Sequence, residues 1–328
     1  MKVRSSGKPE NKAGRIKKPR RLQMAVERVA FVDGSWVPWD QATVHIMSHS
    51  FARGSGIFEV ISFHETAGGP AVFRLDEHMD RLFKSARFLE MEIPTSRQAL
   101  SETVFEAVRK NELSSGAIKV MCYYPQCAFD ILPPAGDLST AVFVMDPALD
   151  LGAAPPDYES GVSLCLSGWR KLDPASVPTE AKAAGNYLNG MMAALEAVRR
   201  GYDRAVMKDR DGAIAESGTS SVFIVKDGTL LTPSPGNILR SITRKSVIPI
   251  AEACGIEMVE ARISTQVCLE ADEMFMSSTT AKVLPVTRFE DRGLPGPRGR
   301  VTTRLWDRFR SILSGDDPEF SGWLFPVR

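Results

Sequence analysis

Five short stretches of this 328-residue chain carry side chains whose types could do chemistry together. Lys182 stands in residues 179–187, TEAKAAGNY, among alanines and a glycine and directly ahead of a helix-like run. Small neighbours leave room for a bulky partner on its ammonium. A lysine drawn partly out of water also has a lowered pKa, which Schiff-base chemistry needs. Local sequence alone favours the plainer alternative, a solvated lysine in a turn. Residues 239–244, LRSITR, place hydroxyls and free backbone N–H groups at the mouth of a helix, an anion site or simply a cap. Residues 277–280, SSTT, follow a strand and either hold a phosphate or form a turn. Glu216, in AIAESGTSSVF just before a strand, either faces a protonated ring nitrogen or is solvated. With Arg81 of HMDRL these make a cation, two hydroxyl-rich anion sites, an acid and a lysine, the parts that hold pyridoxal phosphate.

Other chemistries lack their parts. There is no GxSxG elbow, P-loop, GxGxxG or HExxH. Cys122 and Cys127 could be imagined as metal ligands, but all four histidines precede residue 80 and no second ligand pair exists, so no metal is expected.

The elements that must position these residues follow from composition and periodicity. With 43% hydrophobic and 25% charged residues the chain has the makeup of a soluble globular protein of one or two domains. Its formal net charge is +1, from 41 basic and 40 acidic side chains, so no global field recruits nucleic acid or an anionic membrane. Residues 1–22 differ: nine Lys and Arg against Glu10, almost nothing apolar, hence an expected disordered basic tail. No run approaches the roughly 18 apolar residues of a membrane span. Five scattered cysteines fit reduced thiols, and a cytoplasmic protein is expected.

A hairpin is expected over 26–37 with its turn at Asp33 and Gly34. Strands follow over 56–63, 117–124 and 140–145, and helices over 77–89 and 101–110. Pro, Gly, Ala and Asp make 147–156 a linker. Beyond it come strands over 162–166, 204–207, 221–225, 230–232 and 273–276, with helices over 187–200, 241–254 and 303–313. In the first of these helices Leu188, Met191, Met192, Leu195 and Val198 fall on one face.

The stretches stand in the order found in class IV, branched-chain-aminotransferase-like enzymes that use pyridoxal phosphate. TEAKAAGNYLNG resembles that family's cofactor-lysine segment and FRLDEHMDRL its phosphate-arginine helix. AIAESGTSSVFIV is similar to its glutamate strand, ILRSITR to its phosphate-binding helix start, and MFMSSTTAKVLPV to its second phosphate loop. The resemblance covers about residues 26–325. It implies a fold-type IV α+β protein, with a small N-terminal α/β domain over 23–146, the linker over 147–156, and a larger cofactor-binding domain with a mixed, barrel-like strand core over 157–328. A homodimer or higher assembly is implied as well. By the same resemblance Lys182 carries the cofactor and moves the proton, Glu216 faces the ring nitrogen, and Tyr187 bonds the phenolic oxygen. Arg81, Ile242 (by its N–H), Thr243 and Thr279 would hold phosphate, and Leu239 would pack on the ring.

The residues expected around substrate, Arg53, Phe58, Val60 and Thr280, depart in part from the branched-chain pattern. Arg53 stands where a tyrosine is usual, Val60 where a glycine is, and Ala117 and Lys119 where a Tyr-x-Arg pair is. Residues 58–62, FEVIS, look more like D-amino-acid and (R)-amine transaminases, yet the carboxylate-holding Arg and His of the D-amino-acid enzymes are not visible in YYPQCAFDI, 123–131. Transamination between a branched-chain L-amino acid and a 2-oxo acid such as 2-oxoglutarate is the leading expectation. D-amino-acid or (R)-amine transamination and an aminodeoxychorismate lyase are the alternatives. A non-catalytic binding protein, tethered to nucleic acid by the basic tail, is disfavoured by the intact Lys182, Tyr187 and Glu216.

Overall fold

The structure is a computed structural model that describes residues 27–136 and 138–328. The basic segment 1–22 lies outside the described residues. Strands β1 (Val29–Val32) and β2 (Ser35–Pro38) make the expected hairpin. Its turn residues Asp33 and Gly34 have φ of 47° and 86°, the left-handed pair that a two-residue hairpin turn requires. Then follow α1 (His49–Arg53), β3 (Ile57–Thr66), β4 (Gly69–Phe73), α2 (Leu75–Phe88), α3 (Arg97–Asn111), β5 (Gly116–Tyr123) and β6 (Ser139–Met145). The linker segment contains a short helix, α4 (Pro147–Leu151), capped by the Asp146 carboxylate on the Ala148 and Leu149 N–H groups.

The second half runs β7 (Val162–Arg170), α5 (Tyr187–Arg199), β8 (Arg204–Lys208), β9 (Ile214–Ser217), β10 (Ser221–Lys226), β11 (Thr229–Pro233), α6 (Ile242–Ala253), β12 (Met258–Ala261), α7 (Thr265–Leu269), β13 (Glu273–Ser277), β14 (Leu284–Phe289), β15 (Arg292–Gly293), α8 (Arg300–Ser314) and β16 (Leu324–Pro326). Glu216 lies in a short strand, β9, just ahead of β10.

Two sheets result. One is seven-stranded in the order β16-β4-β3-β5-β6-β1-β2; the other is nine-stranded, β12-β11-β10-β13-β14-β7-β8-β9 with β15 beside β14. The second is mixed, with β7 parallel to both β8 and β14. It curls into a barrel-like core, since β9, at one end of the order, lies against β10 and β11 near the other. The last strand returns to the first sheet by pairing with β4, so residues 324–326 complete a layer begun near residue 29.

Alternation along β3 explains the first core. Ile57, Ile61 and Phe63 point to one face and pack under Leu75, Met79 and Leu82 of α2 and Leu100 and Val104 of α3. In the second, Phe223 and Phe275 stack at 4.7 Å between Val247 and Ile250 of α6 and Leu305 and Phe309 of α8. Helix α5 behaves otherwise than its periodicity suggests. Its apolar stripe is not the packed face, Leu188 and Val198 being 61% and 69% exposed, and the small residues Gly190, Ala193 and Ala197 are the buried ones. Gly190 faces Gly218: a Cβ on Gly190 would stand 2.6 Å from the Gly218 Cα, so only glycine permits this approach.

Candidate active site

β3 supplies the edge on which the lysine is mounted. Its partner β4 pairs with it only from Phe63 onward, which leaves residues 56–58 free on that side. The lysine segment fills the gap. Phe58 N–H donates to the Lys182 carbonyl at 3.1 Å, Ala184 N–H donates to the Gly56 carbonyl at 2.8 Å, and Ile57 bridges Ala183. From the other side α2 holds the same residue: Lys182 N–H donates to Ser85 Oγ at 3.0 Å, and Ser85 donates in turn to the Arg81 carbonyl at 2.9 Å. The lysine and the arginine are thus fixed to one helix.

Arg81, Lys182, Tyr187, Glu216, Leu239 and Thr279 line a single cavity. Lys182 Nζ lies 2.6 Å from Tyr187 Oη and 4.8 Å from the centre of the Phe58 ring, which also packs against Tyr187 at 5.0 Å. Burial first, then the Arg81 charge, brings the Lys182 ammonium down from 10.5 to about 8. About one-tenth of the amine is therefore uncharged at pH 7, far more than for an ordinary lysine, as a nucleophile and base requires. Burial pushes the Tyr187 phenol up, so its proton stays on the oxygen.

Two ion pairs frame the cavity. Glu59, fully buried, accepts from Arg81 Nε and Nη2 and from His78 Nδ1, each at 2.7 Å. Burial raises its pKa, but the Arg81 guanidinium and His78 overcome this and hold it at about 2. Burial, offset in part by Glu59, lowers His78 to about 4, so the imidazole is a neutral donor. Opposite, Glu216 lies 2.7 Å from Lys171 Nζ, and its Oε1 accepts the Leu239 N–H at 3.2 Å.

At the anion end Ser241 lines the cavity and caps α6 by accepting from Arg244 N–H at 3.3 Å. Ile242 and Thr243 form the first helical turn, where N–H groups lack an intrahelical acceptor. Thr279 donates to the Val60 carbonyl at 3.1 Å. Ser221 Oγ, also on this wall, is buried with no hydrogen-bond partner. A guanidinium, a helix start, an unsatisfied hydroxyl, a carboxylate and an amine of lowered pKa fit a phosphorylated pyridine aldehyde.

Phe58 sits beneath Lys182, but the other expected substrate residues are not brought to this cavity. Val60 contributes its carbonyl to Thr279, and Thr280 lines a neighbouring cleft. Arg53, at the exposed end of α1, donates from Nη2 to the Phe129 carbonyl at 2.7 Å and from Nε to the Asp130 carbonyl at 3.3 Å. Two loop carbonyls thus satisfy the guanidinium away from Lys182. Sequence reasoning missed Glu59, Lys171 and Ser221. Only Glu59 left a trace, as an acid in the strand FEVIS at the alternation of Ile57 and Ile61.

The family described as Amino-transferase class IV matches residues 56–289. The branched-chain-amino-acid aminotransferase of Escherichia coli (strain K12) is 35% identical over 298 residues, covering 90% of this chain and 96% of its own. Two solved structures are similar throughout. The branched-chain aminotransferase of Thermoproteus uzoniensis with norvaline has a TM-score of 0.87 and 32% identity, covering 92% of this chain and 100% of that one. A T.th. branched-chain amino acid aminotransferase complexed with N-(5'-phosphopyridoxyl)-L-glutamate has a TM-score of 0.86 and 33% identity, with coverage of 92% and 99%. The lysine cavity and this likeness over nine-tenths of the chain agree: the chain belongs to the class IV aminotransferases, enzymes that work with pyridoxal 5'-phosphate.

Proposed function

We propose that this aminotransferase moves the amino group of a branched-chain or other small to medium apolar L-amino acid to 2-oxoglutarate, in two half-reactions at the Lys182 cavity. The observation that carries the reading is the half-buried Lys182 Nζ, 2.6 Å from Tyr187 Oη and brought to about 8, in a cavity with a guanidinium and a carboxylate in its walls. The choice of substrates is supported by the relatives, which are branched-chain enzymes, one of them complexed with a glutamate derivative.

Pyridoxal phosphate supplies the electron sink that makes a substrate Cα–H acidic. The protein does the rest. Arg81, the N–H groups of Ile242 and Thr243, and Thr279 would hold the phosphate, and Leu239 would pack against the ring. Glu216 would hold a proton on the ring nitrogen, and Tyr187 Oη would bond the phenolic oxygen. Lys182 Nζ, uncharged, would take the proton from substrate Cα and deliver it to the cofactor C4′, two bonds away across the amino nitrogen. Phe58 closes one side of the space in which this happens, keeping water from the base.

We further assign residues 23–146 and 157–328 to two domains joined at 147–156, and a homodimer to the assembly. Exposed apolar side chains support the dimer: Leu188 and Val198 on α5, and Phe129, Ile131 and Leu132 in the 129–132 loop at 70–87%. A lone chain rarely presents so much apolar surface to water. Light scattering should give twice the chain mass. The activity is tested by a panel of paired L and D amino donors against 2-oxoglutarate and pyruvate. A preference for L-leucine, L-isoleucine and L-valine with 2-oxoglutarate is expected. A D preference, or pyruvate release without amino transfer, would overturn the substrate assignment.

A further inference from the structure

Glu216 is buried, at 5% exposure, and both of its partners are on one oxygen. Lys171 Nζ lies 2.7 Å from Oε1, and the Leu239 N–H donates to the same Oε1 at 3.2 Å. Among the described residues no group bonds Oε2, although the side chain lines the Lys182 cavity. On a side chain this buried, an oxygen without a donor is open to the cavity alone, so a donor on a ligand there is what it can accept.

The support around Lys171 shows that the pairing is built into the fold. Its N–H donates to the Lys208 carbonyl at 2.8 Å, where β7 runs beside β8. Asn189 grips the backbone on both sides of it, donating from Nδ2 to the Arg170 carbonyl at 2.9 Å and accepting the Leu172 N–H on Oδ1 at 3.3 Å. Asn189 lies in the first turn of α5, which Tyr187 opens, and the next residue, Gly190, packs against Gly218 with no room for a Cβ. Gly218 follows Glu216 by two residues. One helical turn therefore fixes Tyr187, Lys171 and the Glu216 strand against one another.

The Lys171 and Glu216 side chains are 13% and 7% exposed, so their charges attract through little water and removal of one leaves the other unmatched. A carboxylate at the end of a glutamate turns easily about its last bond. With Oε1 bound twice, Oε2 is the oxygen that meets a ring N–H. Without Lys171, one backbone N–H at 3.2 Å is all that resists the rotation.

We propose that Lys171 is the positioning residue for Glu216: it pins Oε1 so that Oε2 holds the proton on the cofactor's ring nitrogen during transamination. The proposal rests on the assignment of Glu216 to that nitrogen made above.

The test loads the protein with pyridoxal phosphate carrying ¹⁵N in the ring and reads the protonation of that nitrogen by solid-state NMR, beside kcat and KM. The wild type should show the shift of a protonated ring. Lys171→Met should move it toward the unprotonated value and lower kcat about tenfold or more, with KM changed less than about threefold. Lys171→Arg, which keeps a cation able to reach Oε1, should keep the protonated shift. A folded Lys171→Met protein with the wild-type shift overturns the proposal. A crystal structure of the loaded wild type tests it without any variant. Lys171 Nζ within about 3.2 Å of Oε1, with Oε2 on the ring nitrogen, is the expected result, and a Lys171 released from Glu216 overturns it. An unprotonated ring in the wild type would instead sink the assignment of Glu216 itself.

Discussion

Replacing Glu59 by glutamine keeps the side chain's volume but removes the carboxylate that Arg81 and His78 share. The wild-type side chain is 0% exposed and accepts three hydrogen bonds of 2.7 Å. Its pKa falls from 4.5 to about 2, a difference worth roughly 3 kcal/mol of folding stability. Breaking a buried pair by removing one partner costs about 3–5 kcal/mol by general experience, so the two magnitudes agree. The sign follows from the depressed value: the contribution is fully present above pH 4.5 and is lost as pH falls through about 2. Urea unfolding followed by tryptophan fluorescence should therefore show Glu59→Gln about 3 kcal/mol less stable than wild type at pH 7, with the gap narrowing by pH 3. Cofactor affinity should weaken as well, because Arg81 loses the acceptor that aims it. A variant within 1 kcal/mol of wild type at pH 7, or a gap that does not narrow in acid, would refute the account of the Arg81 clamp.

Borohydride reduction of the loaded protein should fix the cofactor to Lys182, and Lys182→Ala should lose about 10²–10⁴-fold or more in turnover; peptide mapping to another lysine would reject the assignment. Because Lys182 Nζ is protonated below about 8 and neutral above it, uptake of pyridoxal phosphate by cofactor-free protein should quicken about tenfold per pH unit below that value and level off beyond it. A rate independent of pH from 6 to 9 would contradict the lowered pKa. Gly190→Ala places a Cβ 2.6 Å from backbone of Gly218 and should cost about 1–3 kcal/mol, read as a lower unfolding midpoint. Deletion of residues 1–22 should leave turnover and Tm unchanged, whereas a loss of several degrees would show that the segment is docked.

Local rules made several features readable without coordinates. The Asp33-Gly34 hairpin depends on turn chemistry, the α6 start on a serine cap, and β3 on alternation, all settled within a few residues. The order of lysine, glutamate and hydroxyl stretches was readable for a related reason, since each needs only its own residue types. Their convergence was not. Arg81 meets Glu59 across 22 positions and Lys282 meets Ser62 across 220, and no periodicity reports a partner that distant.

The α5 stripe marks the same boundary. Spacing by 3.6 shows that Leu188, Met191, Leu195 and Val198 share a face, but the close approach of Gly190 to Gly218 turns the small residues inward instead. Arg53 likewise has a type that suits a carboxylate and a place that gives it two loop carbonyls. Residue types and near-neighbour spacing set the secondary structure and the chemistry available to this chain. Packing between distant segments decided which charges are buried together and which lysine faces Tyr187, because burial and pairing energies exist only once the sheets have closed.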